Sequence, residues 1–355
     1  MKIRQTDFNY EVRKLEVIDS TNNYLRPISL PDDTDFLYVT SEYQTAGKGQ
    51  GGNHWESERG ENLLFSVKCK PWRVKASEQF ILLQTVSVAV CKALSRILNK
   101  QCMIKWPNDI YYGDKKLSGT LSECTLHNIW INEFIAGVGI NVNQLVFHSD
   151  APNPVSMANI SGHTFDRNAL LDDIAKEISY WFEYITNEDM DTVRTEYESL
   201  LYRRTGIHKY RDKDGVFDAS YEEILPNGHL ILRRTDGILS EYEFKEVKFL
   251  ISNSYVLSLI IGNNLTIGDV GITRVNNNLL LVGTLIICSA GMGIRRSRAS
   301  EAILIRVATH VVGFIKVIII IISALANTPY NRQHEVYSYQ ENDSSDDYNQ
   351  NYYKQ

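Results

Sequence analysis

An α+β fold, with a mixed sheet backed by helices and a small β-rich unit behind it, is predicted by three features of this 355-residue chain. Strand-like segments flank a glycine-rich loop at 44–55, as expected where a sheet edge presents a loop. Apolar residues then recur at helical spacing over 77–99. Finally, Asp-Gly, Asn-Gly and Asp-Gly pairs at 214–215, 227–228 and 236–237 punctuate a stretch that reads as successive hairpins.

Taken in order, residues 34–43 alternate toward a strand that delivers the glycine loop, and 62–68 read as the strand that leaves it. Phe80, Leu83, Val86, Val90, Leu94 and Ile97 or Leu98 line one face of the predicted helix, which is entered at Ser77 with Glu78 close behind. Residues 103–106 read as a short strand stopped by Pro107, 108–115 as strand and turn, and 129–140 as an apolar strand ending in glycines. Helices are expected at 167–185 and 188–203, and a β-rich segment at 205–252.

Bulk properties exclude several classes. A net charge of -6, from 37 basic against 43 acidic residues, argues against a dedicated nucleic-acid binder, which carries a clustered basic excess. The five cysteines, at 69, 91, 102, 124 and 288, form no CxxC pair and no His/Cys ligand spacing, which predicts thiols in a reducing cytosol and no metal centre. No apolar run follows the first charges, so no signal peptide is read and a cytoplasmic protein is expected.

Two segments carry chemistry. In Gln44-Thr45-Ala46-Gly47-Lys48-Gly49-Gln50-Gly51-Gly52-Asn53-His54-Trp55, glycines let backbone N–H groups approach an anion. In Lys105-Trp106-Pro107-Asn108-Asp109, a lysine sits beside a stiff Trp-Pro pair. Together they suit activation of a carboxylate by a nucleoside triphosphate, a reaction that needs positioning and charge compensation rather than a nucleophile from the protein. Ser20, Thr21 and Asn22 also suit a helix cap, and of Trp55 and Trp106 at least one is expected to pack in the core.

With Val17-Ile18-Asp19-Ser20-Thr21-Asn22 before them, and Lys116-Leu117-Ser118-Gly119, Gly137-Val138-Gly139-Ile140-Asn141-Val142-Asn143 and residues 242–249 after them, these segments resemble the biotin–protein ligases, or biotin–[acetyl-CoA-carboxylase] ligases. The resemblance spans residues 8–252. It implies a mixed-sheet, class II synthetase-like catalytic domain at 1–204 and a small SH3-like barrel at 205–252. Only eighteen residues precede Asp19, so the winged helix-turn-helix of repressor ligases has no counterpart and a monofunctional ligase is expected.

The implied reaction joins biotin to ATP, supplied with Mg²⁺, as biotinyl-5'-AMP with release of pyrophosphate. Biotin then passes to a lysine of a biotin carboxyl carrier protein. Lys105 is the implied catalytic residue, bridging carboxylate and α-phosphate. Ser20, Thr21, Asn22, Gln44, Lys48, Gly49, Gln50 and Lys105 are the implied biotin contacts, and Gly47, Lys48, Trp55, Asn108, Asn141 and Asn143 the nucleotide contacts. No resident metal and no nucleic-acid partner are implied, and the protein would be a monomer or homodimer. Lys48 and Gln50 stand where the family usually has arginines, which costs a bidentate fork at the first position and the charge at the second. Two alternatives stay open: a lipoate or octanoate ligase of the same fold, and a non-catalytic scaffold tethered by its C-terminal extension.

That extension comprises an apolar part at 253–329 and a polar tail at 330–355 expected to be disordered. Its apolar runs, 279–294 and 311–326, are each short of the roughly 20 residues that span a bilayer. Arg295, Arg296 and Arg298 lie between them. A membrane hairpin, a buried β segment and an accidental extension compete, and the lack of a clean period favours the last.

Overall fold

The computed structural model describes residues 8–49, 52, 54–71, 73–148 and 153–251, and the backbone of 255–260, 266–275 and 278–283. The chain divides into two compact units, Met1–Ser252 and Asn253–Gln355.

The first unit is α+β with a mixed sheet, as the sequence predicts. Its strands are β1 (Tyr10–Ile18), β2 (Phe36–Gln44), β3 (Leu63–Cys69), β4 (Met103–Lys105), β5 (Asp109–Tyr112), β6 (Lys115–His127) and β7 (Trp130–Ile140). They lie in the order β1-β2-β3-β7-β6-β5-β4, with β1 and β2 parallel and every other pair antiparallel. Side chains alternate across this sheet. In β2, Phe36 and Tyr38 enter the main core, while Leu37 and Val39 join a small second cluster with Leu25 and Ile135.

Five helices complete the unit: α1 (Thr21–Leu25), α2 (Phe80–Leu98), α3 (Met157–Ser161), α4 (Arg167–Thr186) and α5 (Met190–Ser199). Helix α2 is buried along most of its length and packs against α4 and α5. It is apolar and long enough to cross a membrane, but most of it is covered by this core. Its α-helical part starts later than predicted, because Ala76–Glu78 form a 3-10 turn held by the Ala76 N–H to Ile129 O bond. Helix α5 ends before the predicted 203. The edge of β4 captures the chain there, with Ile104 N–H donating to Leu200 O and Tyr202 N–H to Ile104 O.

Strands β1 and β6 lie where no strand was predicted. The first is a half-exposed edge rich in Glu, Lys and Arg, a composition that protects sheet edges but hides them from hydropathy. The second has few buried positions because part of it lines a cavity.

A five-stranded antiparallel sheet follows: β8 (His208–Asp212), β9 (Gly215–Ile224), β10 (Leu230–Arg234), β11 (Leu239–Tyr242) and β12 (Lys248–Phe249), in the order β11-β10-β9-β8-β12. The three predicted Xaa-Gly turns join its first four strands, with Gly215, Gly228 and Gly237 at positive φ. The second unit holds a three-stranded antiparallel sheet of Tyr255–Ile260, Thr266–Val275 and Asn278–Gly283. The readings of the apolar runs beyond 283 and of the tail at 330–355 fall outside the described residues.

Lys68 on β3 is 1% exposed and anchors α1. Its ammonium donates to Ile28 O at 2.6 Å and Leu25 O at 3.4 Å and pairs with Glu133 at 3.0 Å. Lys68→Ala is expected to lower stability by about 3 kcal/mol, since Glu133 and two carbonyls lose their donor. The double change Lys68→Met, Glu133→Leu should recover most of that loss, as read by urea unfolding of the full chain.

Candidate functional site

Strand β7 alternates between core and cavity. Phe134, Ala136, Val138 and Ile140 belong to the main core, which turns Gly137 and Gly139 to the other face. There a Cβ on Gly137 would overlap the Asn22 amide, and one on Gly139 would overlap the Trp55 indole. These glycines let one residue of α1 and one of the glycine loop lie directly on the strand. A cavity of about 630 Å³ opens over this floor.

Part of its lining is polar and uncharged. Thr21, Asn22 and Ser66 are buried. The Ser66 hydroxyl lies 2.7 Å from Thr21 Oγ1 and 2.6 Å from Asn22 Oδ1. Gln44 Oε1 accepts from the Thr21 N–H at 2.7 Å and from its hydroxyl at 3.1 Å. Asn22 Nδ2 donates to Glu123 at 3.1 Å, and Arg26 clamps the other oxygen of that carboxylate at 2.7 Å. Ser20 occupies the N-cap position of α1 but makes no side-chain cap bond, and it lines the cavity instead.

Four lysines, Lys48, Lys105, Lys116 and Lys245, also line the cavity. Lys116 pairs with Asp109 at 2.7 Å. Lys105 makes no hydrogen bond or ion pair among the described residues. Burial holds its ammonium below the usual lysine pKa, with Asp109 opposing that shift and Lys116 and Arg203 adding to it. Lys48 is exposed and reaches Asn23 Oδ1 at 3.3 Å, and Asn23 in turn donates to Asp19. That donation, with the Ser20 N–H, lowers the Asp19 pKa. A Lys48–His54 bridge and the Trp55 N–H to Gly47 O bond pair the two ends of the glycine loop as a hairpin stem.

Ten of the predicted site residues line this cavity: Ser20, Thr21, Asn22, Gln44, Lys48, Gly49, Trp55, Lys105, Asn108 and Asn141. Asn108 is buried and donates to Thr120 O, while Asn141 donates to Val155 O at 3.2 Å. Gly47 contributes its carbonyl to the hairpin rather than a surface to the cavity. Asn143 is turned elsewhere, its amide spent on both backbone groups of Phe165. Gln50 lies outside the described residues. As expected, one of the two tryptophans is core: Trp106 is 4% exposed and donates its indole N–H to Gly228 O at 3.0 Å.

Sequence reasoning did not select Asp109, Lys116, Gly137, Gly139 or Lys245 as site residues. The alternate glycines in an apolar strand were a readable sign of close approach. Lys245 comes from the turn before β12, far along the chain, and no local pattern marks it. Among the described residues, no group of three His, Cys, Asp or Glu side chains is placed to hold a metal ion. Cys69, Cys91 and Cys102 are buried free thiols, and burial pushes the pKa of Cys102 up to about 11.

Residues 15–141 match the Biotin/lipoate A/B protein ligase family. The chain is 27% identical over 233 residues to the bifunctional ligase/repressor BirA of Bacillus spizizenii, covering 64% of this chain and 70% of that one. It is 40% identical over 114 residues to the human biotin–protein ligase, covering 30% of this chain and 15% of that one. The biotin protein ligase of Aquifex aeolicus, solved in complex with biotin and ATP, superposes with a TM-score of 0.57 at 24% identity, over 67% of this chain and 99% of that one. Sequence and fold agree: residues 15–141 are similar to the biotin/lipoate A/B protein ligase family, and the chain shares the fold of a solved biotin protein ligase.

Proposed function

We propose that this cavity takes biotin and ATP, and that the protein is an ATP-dependent biotin–protein ligase. It forms biotinyl-5'-AMP with release of pyrophosphate and then transfers biotin to a lysine of a biotin carboxyl carrier protein. The relatives carry the names of this activity. The single observation that carries the reading is a cavity whose lining combines neutral hydrogen-bonding groups, at Thr21, Asn22 and Gln44, with four lysines. A neutral ring bearing a carboxylate, placed beside a polyphosphate, matches that combination.

The residues present fit these substrates. Thr21, Asn22 and Gln44 offer hydroxyl and amide groups to a neutral ring, and Lys48, Lys105, Lys116 and Lys245 offer charge to a carboxylate and phosphates. Mg²⁺ enters as part of the ATP complex, held chiefly by phosphate oxygens, so the lack of an acidic cluster is compatible with it. The five-stranded sheet would be the small SH3-like barrel of such ligases, and the turn between its strands β11 and β12 contributes Lys245 to the cavity.

In the first half-reaction a biotin carboxylate oxygen attacks the α-phosphorus and pyrophosphate leaves. Lys105 holds carboxylate and phosphate together, since among the described residues it makes no ion pair or hydrogen bond that an incoming anion would have to break. Lys116 fixes Asp109 and so keeps that carboxylate from claiming Lys105. Lys48 on the hairpin would close over the adenylate once it forms. In the second half-reaction the carrier lysine attacks the acyl carbon and AMP leaves.

The deciding experiment incubates the full chain with biotin, Mg-ATP and a carrier domain, with octanoate and lipoate in parallel, and reads pyrophosphate release and carrier labelling. Labelling with biotin alone supports the proposal, and labelling only with octanoate or lipoate overturns its substrate. Lys105→Ala should reduce the rate of pyrophosphate release by about 10²- to 10³-fold. Gly137→Ala, which displaces Asn22, should raise KM for biotin with a smaller change in kcat.

The pH profile offers a separate check. Lys105 works only as the ammonium and its pKa is lowered, so the rate should fall as pH rises through a midpoint below the ordinary 10.5. In Lys105→Arg, whose guanidinium stays protonated, whatever activity remains should lose this alkaline limb.

A further inference from the structure

We propose that Phe249, at the end of the small sheet, is a positioning residue that forms with Tyr111 an aromatic slot for the Lys105 ammonium. The slot aims the charge into the cavity. It rests on the assignment of Lys105 as the charge that joins the two substrates.

Lys105 Nζ lies 5.1 Å from the centroid of the Phe249 ring and 5.3 Å from that of Tyr111. The carboxylate nearest in sequence, Asp109, pairs with Lys105 through the backbone, but its side chain is held by Lys116 at 2.7 Å. Ring faces attract a cation without the short directional bond that a carboxylate makes. An ammonium held this way has nothing to give up when anions arrive. The same rings shield it from water, in keeping with its lowered pKa.

The slot is rigid because Phe249 is seated from behind. Its ring meets Tyr210 edge-on at 5.0 Å and stacks on Tyr202 at 6.4 Å, and Tyr202 stands 5.5 Å from Tyr111. Arg203 donates to Lys209 O at 3.2 Å and to Leu250 O at 2.8 Å, which ties β8 to the end of β12. Phe249 is paired in register with Tyr210. The small sheet thus reaches the reacting centre through one side chain that contacts the essential lysine rather than substrate.

The test uses the full chain with ¹³Cε-labelled lysine, the Lys105 signal being assigned by its loss in Lys105→Arg. Ring currents should displace this signal, and Phe249→Leu should return it toward the ordinary lysine position. The same variant should lower kcat for biotin-dependent pyrophosphate release by about tenfold. KM for biotin should change by less than about threefold. Phe249→Tyr should preserve both signal and rate. Phe217→Leu removes a ring of the same sheet that stacks on Tyr210 and Tyr242, away from the cavity, and should leave both unchanged. A Lys105 signal unmoved by Phe249→Leu, or an equal rate loss in Phe217→Leu, overturns the proposal. If the signal moves but the parent chain releases no pyrophosphate with biotin, the slot stands and the ligase assignment falls.

Discussion

Strand β7 must close a hydrophobic core with one face while leaving the other almost bare, and the site follows from how it does both. Phe134, Ala136, Val138 and Ile140 bury toward the main core. The opposite face runs from charge at Glu133 through Ile135 to glycine at 137 and 139. Two interior glycines weaken a strand, since they add backbone entropy and contribute no packing. The cost is offset by ladders on both sides, from β3 and β6. What the strand gains is a floor at backbone level, on which the Asn22 amide and the Trp55 indole lie flat.

Charge at the site is local rather than a property of the chain. The protein is acidic overall, yet the described cavity gathers four lysines. Three of them are managed differently: Lys116 by a carboxylate, Lys48 by solvent and Asn23, Lys105 by aromatic faces and burial. Lys116 repels the Lys105 ammonium, and an anionic ligand between them relieves that repulsion. The buried pair of Lys68 and Glu133 answers to a different need, since it fixes the helix that presents Thr21 and Asn22.

Much of this was legible in the sequence, for identifiable reasons. Helices α2 and α4 show the helical period because each lays one face on the main core, and strands β2, β3 and β7 stand out as apolar runs because they are buried in the sheet. The turns of the small sheet were legible because Asp-Gly and Asn-Gly place glycine where φ is positive. Strand β6 escaped because a strand that borders a cavity need not alternate, and β1 because its charges protect an edge. The site was legible where its residues are contiguous, as in 20–22, 44–49 and 105–108. It was hidden where residues act through tertiary placement: Lys245 arrives from the other sheet, and Phe249 has meaning only beside Tyr111. Asn143 sits in a motif segment and still serves the backbone of Phe165.

Trp106, the residue after Lys105, spends its indole N–H on Gly228 and stands 5.3 Å from Phe244, which in turn meets Phe80 at the start of α2. A hydrogen bond and three rings thereby connect the seven-stranded sheet, the long helix and the small sheet at one point. Peeling the small sheet away would strand a buried indole donor and bare the ring cluster, so partial opening at this junction is costly. The two sheets are therefore bound into a single cooperative transition, in which amide exchange at Ile104 and at Leu230 would track one global opening. Loss of the small sheet and loss of the lysine's setting would be one event.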